Sequence, residues 1–225
     1  MPNNDTKTPI RHRDTHFYRI LNEVLNSVTH GFGFGAAVTA TVFLIIKGVA
    51  HGSALEVTAY TIYGVSMCLM FLFSTLYHSL KFTKAEKVLH VLDHSGIFFL
   101  IAGTYTPYTL ISIGGALGIT IFVIEWVLAI TGILGKIFHW KFVMKYSTWI
   151  YVAMGWVALF ALKPIFETMG LGGALWLFGG GLIYTLGIIF YGLGKRRNIP
   201  YAHVVWHIFV FLAAVAMFIS IYVYV

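Results

Sequence analysis

Tyr201-Ala202-His203-Val204-Val205-Trp206-His207 opens a stretch that then runs apolar to Val225. Its length matches the ~20 residues that cross a bilayer core as a helix. Its two histidines, four residues apart, fall on one face of that helix. Imidazoles at the head of an apolar helix are either buried and hydrogen-bonded or bound to a metal. What the rest of the chain brings to the same depth decides between them.

The rest of the chain has the same character. It is 59% hydrophobic and only 10% charged, where soluble domains carry ~25% charged residues. A backbone in hydrocarbon must pair its polar groups internally, which leaves helices or closed barrels. The apolar runs are continuous rather than alternating, so helices are expected. The sequence predicts an all-α integral membrane protein of seven transmembrane helices, at roughly 26–46, 54–80, 88–112, 117–138, 146–162, 173–194 and 203–224. The connections are too short for a second domain. Residues 1–22 then form a cytoplasmic tail and residues 23–225 a single transmembrane domain. Residues 1–23 lack the apolar core of a cleavable signal peptide, so the first span is expected to direct insertion.

Orientation follows from charge. Lys7, Arg11, Arg13 and Arg19 precede the first span. Lys81, Lys84 and Lys87, then Lys136, Lys141 and Lys145, then Lys195, Arg196 and Arg197 flank alternate connections on the same side. Only Lys47 and Lys163 lie on the other side. The positive-inside rule places the N-terminus in the cytoplasm and the C-terminus outside. The net charge of +7 thus needs no nucleic acid, and membrane lipids are the expected partners. No obligate protein partner is predicted. Cys68, the sole cysteine, excludes an intrachain disulfide and a cysteine-based zinc cluster. The Gly31, Gly33, Gly35 string and Gly179-Gly180-Gly181 follow no strand, which leaves helix packing as their role.

Ionisable groups within spans are costly and mark functional sites by default. Glu23, Asn26 and His30 share a face at the cytoplasmic start of the first span. Ser74 and His78 end the second, Asp93 and His94 begin the third, and His203 and His207 begin the seventh. Four stretches thus bring polar side chains to one depth. Neutral imidazoles and carboxylates are zinc ligands, and a catalytic zinc uses three protein ligands plus water. His78, His203 and His207 are the expected metal ligands. Asp93 would hold the activated water, either directly or as general base, with Ser74 one turn before His78 steadying it. Glu23, Asn26 and His30 stand behind the ligands. His94 is a spare that could serve as an alternative ligand, and His90 is expected to face the interface. Glu125, in mid-span, is either hydrogen-bonded or lines a cavity. Pro107 should kink the third span or loosen its hydrogen bonding, with residues 103–107 lining an interior space.

Glu23-x-x-Asn26-x-x-x-His30, Ser74-x-x-x-His78, Leu92-Asp93-His94-Ser95-Gly96 and His203-x-x-x-His207 resemble, in order and in place, the motifs of the haemolysin III family. This is the bacterial branch of the progestin and adiponectin receptor (PAQR) superfamily. The resemblance covers the chain from about Asn22 to its end. It implies a seven-helix membrane protein with a Zn2+ ion near the cytoplasmic side, held by His78, His203 and His207. Asp93 would match the family's water-holding aspartate and Ser74 its serine. Adiponectin receptors are regarded as ceramide hydrolases, so the resemblance implies a zinc-dependent hydrolase of a lipid amide or ester, acting in membrane lipid homeostasis. The haemolysin label implies the alternative of a pore-forming, cytolytic protein. A sensor or regulator with a structural zinc is the third reading. No hormone-receptor role resting on the long N-terminal extension of the eukaryotic receptors is expected, and the bacterial branch implies a place in a bacterial inner (plasma) membrane.

Overall fold

The computed structural model describes residues 15–197 and 199–225. Lys7, Arg11, His12 and Arg13 of the expected tail, and Asn198 of the last connection, lie outside the described residues. Seven α-helices follow in order: α1 (His16–Ala50), α2 (Ala54–Ser79), α3 (Glu86–Pro107), α4 (Gly115–Ile137), α5 (Lys141–Gly155), α6 (Leu162–Arg197) and α7 (Ala202–Tyr224). No strand occurs among the described residues. Residues 16–22, expected in the tail, form the first turns of α1, where the Thr15 side chain accepts the Tyr18 N–H as N-cap.

Six helical stretches are long and apolar enough to cross a membrane. One of them, Lys141–Gly194, has 54 residues, which as a straight rod would run about 80 Å. It is not straight. A 3-10 turn over Val157–Ala161 separates α5 from α6. Pro164 follows in the first turn of α6, where its missing N–H is tolerated. The Tyr105 hydroxyl closes the gap: it donates to the Gly155 carbonyl at 3.0 Å and accepts the Ala158 N–H at 2.8 Å. Inside α6, Gly170 adopts φ 64°, ψ −173°, a region open essentially only to glycine. Gly114, between α3 and α4, has nearly the same angles, φ 61°, ψ −171°.

Contacts show what Gly170 does. The later part of α5 lies beside the first half of α3, where the Tyr151 hydroxyl donates to the His94 carbonyl at 2.8 Å. Past Gly170, the Gly173 carbonyl accepts the hydroxyl of Ser220, near the end of α7. At the far end of α6, Gly194 abuts Ala202 at the start of α7. The chain therefore runs away from the histidine end as far as Met169 and returns from Leu171. The expected loop at 163–172 is mostly helix, with one glycine making the reversal.

In the third span Pro107 sits in ordinary helical geometry and is followed by a π-helical turn, Tyr108–Ile113, a loosening of the α-helical hydrogen bonding next to the proline. Thr104, Tyr105 and Tyr108 do line an interior cavity. Of the two glycine groups, Gly33 and Gly180 are the positions that meet a neighbour closely, at Phe71 and Met217. Glu125 is fully buried, and neither of its carboxyl oxygens has a hydrogen-bond partner among the described residues.

Two outcomes are expected. A side chain at Gly170 would meet open space, so Gly170→Val should destabilise by backbone strain alone, about 1–3 kcal/mol, read as a lower melting temperature in detergent. With seven crossings, a periplasmic-active reporter fused after Val225 should be active. Activity only of a cytoplasmic reporter there would require an even number of crossings.

Candidate metal centre

α2 and α7 bring three imidazoles together. His78 lies in the last turn of α2, and His203 and His207 lie in the first two turns of α7. Tyr201 turns the chain into α7 through a left-handed backbone (φ 55°), pinned where its N–H donates to the Tyr18 hydroxyl at 3.0 Å. One ring nitrogen from each of the three histidines lies within 4.8 Å of the others. His203 Nε2 stands 3.3 Å from His78 Nε2 and 3.1 Å from His207 Nε2.

The outer nitrogens settle the proton positions. His78 Nδ1 lies 2.7 Å from Glu23 Oε2, and His207 Nδ1 lies 3.2 Å from the Asn26 backbone carbonyl. A carbonyl can only accept, and so can an ionised carboxylate, so both Nδ1 atoms carry the proton. In the neutral imidazoles both Nε2 atoms then present bare lone pairs to His203. His203 Nε2 could donate to one of them and would leave the other facing it unpaired.

A divalent cation satisfies all three at once. Corners of a tetrahedron centred on zinc, at about 2.0–2.1 Å per ligand, lie about 3.3 Å apart, close to the two separations observed. The donor set thus fits a zinc ion. Metal-bound imidazoles whose far nitrogen is held by a carboxylate or carbonyl are the usual arrangement, and α1 supplies both here.

The other expected residues surround this core. His30 stacks on His207, with ring centroids 3.6 Å apart and planes at 11°. Both His30 nitrogens and both polar side-chain atoms of Asn26 are buried without a hydrogen-bond partner among the described residues, and the Ser74 hydroxyl faces the Asp93 carboxyl. Buried polar groups are normally paired, so this orphan set beside the triad marks room for water or a polar ligand. It is Asn26's backbone, rather than its side chain, that reaches a histidine. Asp93 is close to Ser74 and to His78 and 3.5 Å from His94 Nδ1. His94 Nδ1 also lies 3.0 Å from the His90 carbonyl, and His94 is not one of the three convergent histidines. The rings of His90 and His94 lie 4.1 Å apart, and both line the cavity, so His90 does more than face the interface.

That cavity, of about 390 Å³, joins the triad to the interior. Ser74, Asp93, His203 and His207 form one wall, and Tyr105, Tyr108, Leu177 and Met217 continue it as a largely apolar lining. The sequence reading missed a further wall made by Lys136, Ser147 and Tyr151. The signal was present: Lys136 falls inside the span expected at 117–138, although it was counted with the loop charges.

Long apolar helices around a buried three-histidine cluster define the class, a multi-pass helical membrane protein with a potential metal centre inside one end. Residues 18–218 match the family described as "Haemolysin-III related". The chain is 44% identical over 206 residues to Hemolysin-3 of Bacillus cereus, covering 92% of this chain and 93% of that one. It is 44% identical over 207 residues to the Hemolysin-3 homolog of Bacillus subtilis, covering 92% and 96%. It is 31% identical over 198 residues to the human Monocyte to macrophage differentiation factor, covering 81% and 80%. The chain belongs to the haemolysin III-related family of multi-pass membrane proteins.

Replacing Glu23 by Gln removes the anion behind His78 while keeping the volume. Zinc affinity, measured by competition with a chromogenic chelator, should fall about ten- to a hundred-fold. Unchanged affinity would mean that Glu23 does not act on a metal ligand.

Proposed function

We propose that this protein is a zinc-dependent intramembrane hydrolase of a lipid amide or ester. It would cross the membrane seven times, with its N-terminus and its metal centre on the cytoplasmic side. The observation that carries the reading is a three-imidazole donor set of which His203 and His207, with the Asp93 carboxylate, line one cavity that continues into a long apolar lining.

His78, His203 and His207 would hold the ion, which when bound supplies a Lewis acid for the carbonyl and makes a water acidic enough to attack near neutral pH. Glu23 and the Asn26 carbonyl hold the imidazoles in the ligating tautomer. Asp93 takes the proton from the attacking water and returns it to the leaving amine or alcohol as general base and then acid. The Ser74 hydroxyl, beside Asp93 and otherwise unpaired, orients that carboxylate or the water. The lining from Leu100 to Met217 holds an acyl chain and keeps bulk water out.

Metal analysis of detergent-purified protein tests the first part, with about one zinc per chain expected and none in the His203→Ala/His207→Ala double variant. In a lipid-hydrolysis screen, Asp93→Asn should keep its zinc yet lose about a hundred-fold or more in turnover. Undiminished turnover in that variant would sink the role given to Asp93. A chain that holds zinc and cleaves no lipid would favour a structural zinc in a sensor or regulator. Dye release from liposomes by metal-free protein would favour cytolytic action.

A further inference from the structure

Lys136 has no role in the hydrolysis described above, and its surroundings are unusual for a lysine at the end of a membrane helix. Such a lysine normally extends its ammonium to the water interface. Lys136, in the last turn of α4, is instead only 5% exposed. Its ammonium donates to Ser147 Oγ on α5 at 2.9 Å. The ion pairs among the described residues all involve other groups. An ammonium has three donors, and one hydroxyl satisfies one of them. A buried cation without a counter-charge is costly, and an anion from elsewhere would offset that cost.

The cavity gives that anion a place. Lys136 and Ser147 line it together with His90 and His94, and the exposed Lys145 lies on its rim. Asp93 is the only carboxylate on its wall, and that residue sits beside Ser74 and His78. The cationic wall is joined to the triad by short links. His94 follows Asp93 in sequence, its carbonyl accepts the Tyr151 hydroxyl at 2.8 Å, and Ser147 lies one turn before Tyr151 on α5. Anionic oxygen would therefore sit across the cavity from the histidines, with the apolar lining leading away from both.

We propose that Lys136 and Ser147 form a phosphate subsite that holds the headgroup of a phospholipid or lysophospholipid while its acyl linkage lies at Asp93 and the histidine triad. Phosphate, rather than a carboxylate, matches the setting because its several oxygens can take both remaining Lys136 donors and those of neighbouring side chains. The proposal rests on reading the cavity as a lipid site and names the class of lipid that site takes.

The test needs neither metal nor turnover. Trp156 and Trp206 line the cavity, so a bromine-labelled acyl chain seated there quenches their fluorescence. Two probes differ only in the phosphate: a brominated lysophosphatidic acid and the matching monoacylglycerol, titrated into chelator-treated full-length protein and displaced with the unbrominated lipid. The phosphate-bearing probe should saturate at a concentration at least about ten-fold lower, as loss of a charge-assisted bond implies. Lys136→Met should abolish that preference and Lys136→Arg should keep it. Equal affinity for the two probes in the wild-type protein overturns the subsite whether or not the variants fold, and leaves the lipid-cavity reading standing. Saturable quenching by neither probe overturns both. Displacement by millimolar inorganic phosphate, with no gain from the acyl chain, would put a free anion at Lys136 and overturn the lipid assignment.

Discussion

Bare lone pairs that share one small space repel, and the position of α1 against α2 and α7 creates that situation. The Nδ1 protons of His78 and His207 are fixed by acceptors on α1, the Glu23 carboxylate and the Asn26 carbonyl. Those acceptors reach the imidazoles because α1 lies close against α2. Gly33 faces the Phe71 ring, Gly64 faces Thr41, and Gly48 approaches the Val57 backbone, each leaving no room for a Cβ. Small residues that let helix backbones approach are a general device of membrane bundles. Here their effect is chemical as well: a wider α1–α2 spacing would withdraw the Glu23 carboxylate that turns the His78 Nε2 towards His203.

The other half of the molecule is built differently. Phe98, Ala102, Ala129, Val143, Tyr151 and Met154 form a small cluster of their own that knits α3, α4 and α5 together. The larger core draws on every other part of the bundle. The cavity draws its walls from both. Tyr105 belongs to the larger core, yet its hydroxyl repairs the break between α5 and α6. One phenol thus holds a helix interruption against the cavity wall and spares the bundle an unpaired carbonyl in a region where no water would replace it.

Much of this was legible in the sequence because the signals were local or repeated. Long apolar runs announced the helices, and the spacing of His203 and His207 announced a shared face. Glu23, His78 and Asp93 stood out because carboxylates and imidazoles are rare within spans. What was hidden depended on geometry between helices. Asn26 was picked for its side chain but contributes its carbonyl, which any residue could have offered at that position. Lys136 looked topogenic because a lysine near a span end usually is, and only the approach of Ser147 from α5 shows its ammonium turned inward. Gly170 looked like part of a ten-residue loop, since the reversal needs a backbone conformation and not a composition. Glu125 was undecided in the sequence and is buried without a hydrogen-bond partner among the described residues.

The matching backbone at Gly114 and Gly170 has a mechanical consequence. Each turns the chain back within one or two residues, Gly114 together with Gly115 (φ 56°) and Gly170 alone, at the end of the bundle remote from the histidines, while the connections at the histidine end are longer. Helix pairs closed so tightly at one end behave as tweezers: the glycine is the fulcrum, and any splaying grows with distance from it. The greatest travel falls at the tips, which carry Asp93 and His94 on α3, Lys136 on α4 and Ser147 on α5. A lipid large enough to need a wider entrance would find the give in the bundle at the level where its polar end has to pass.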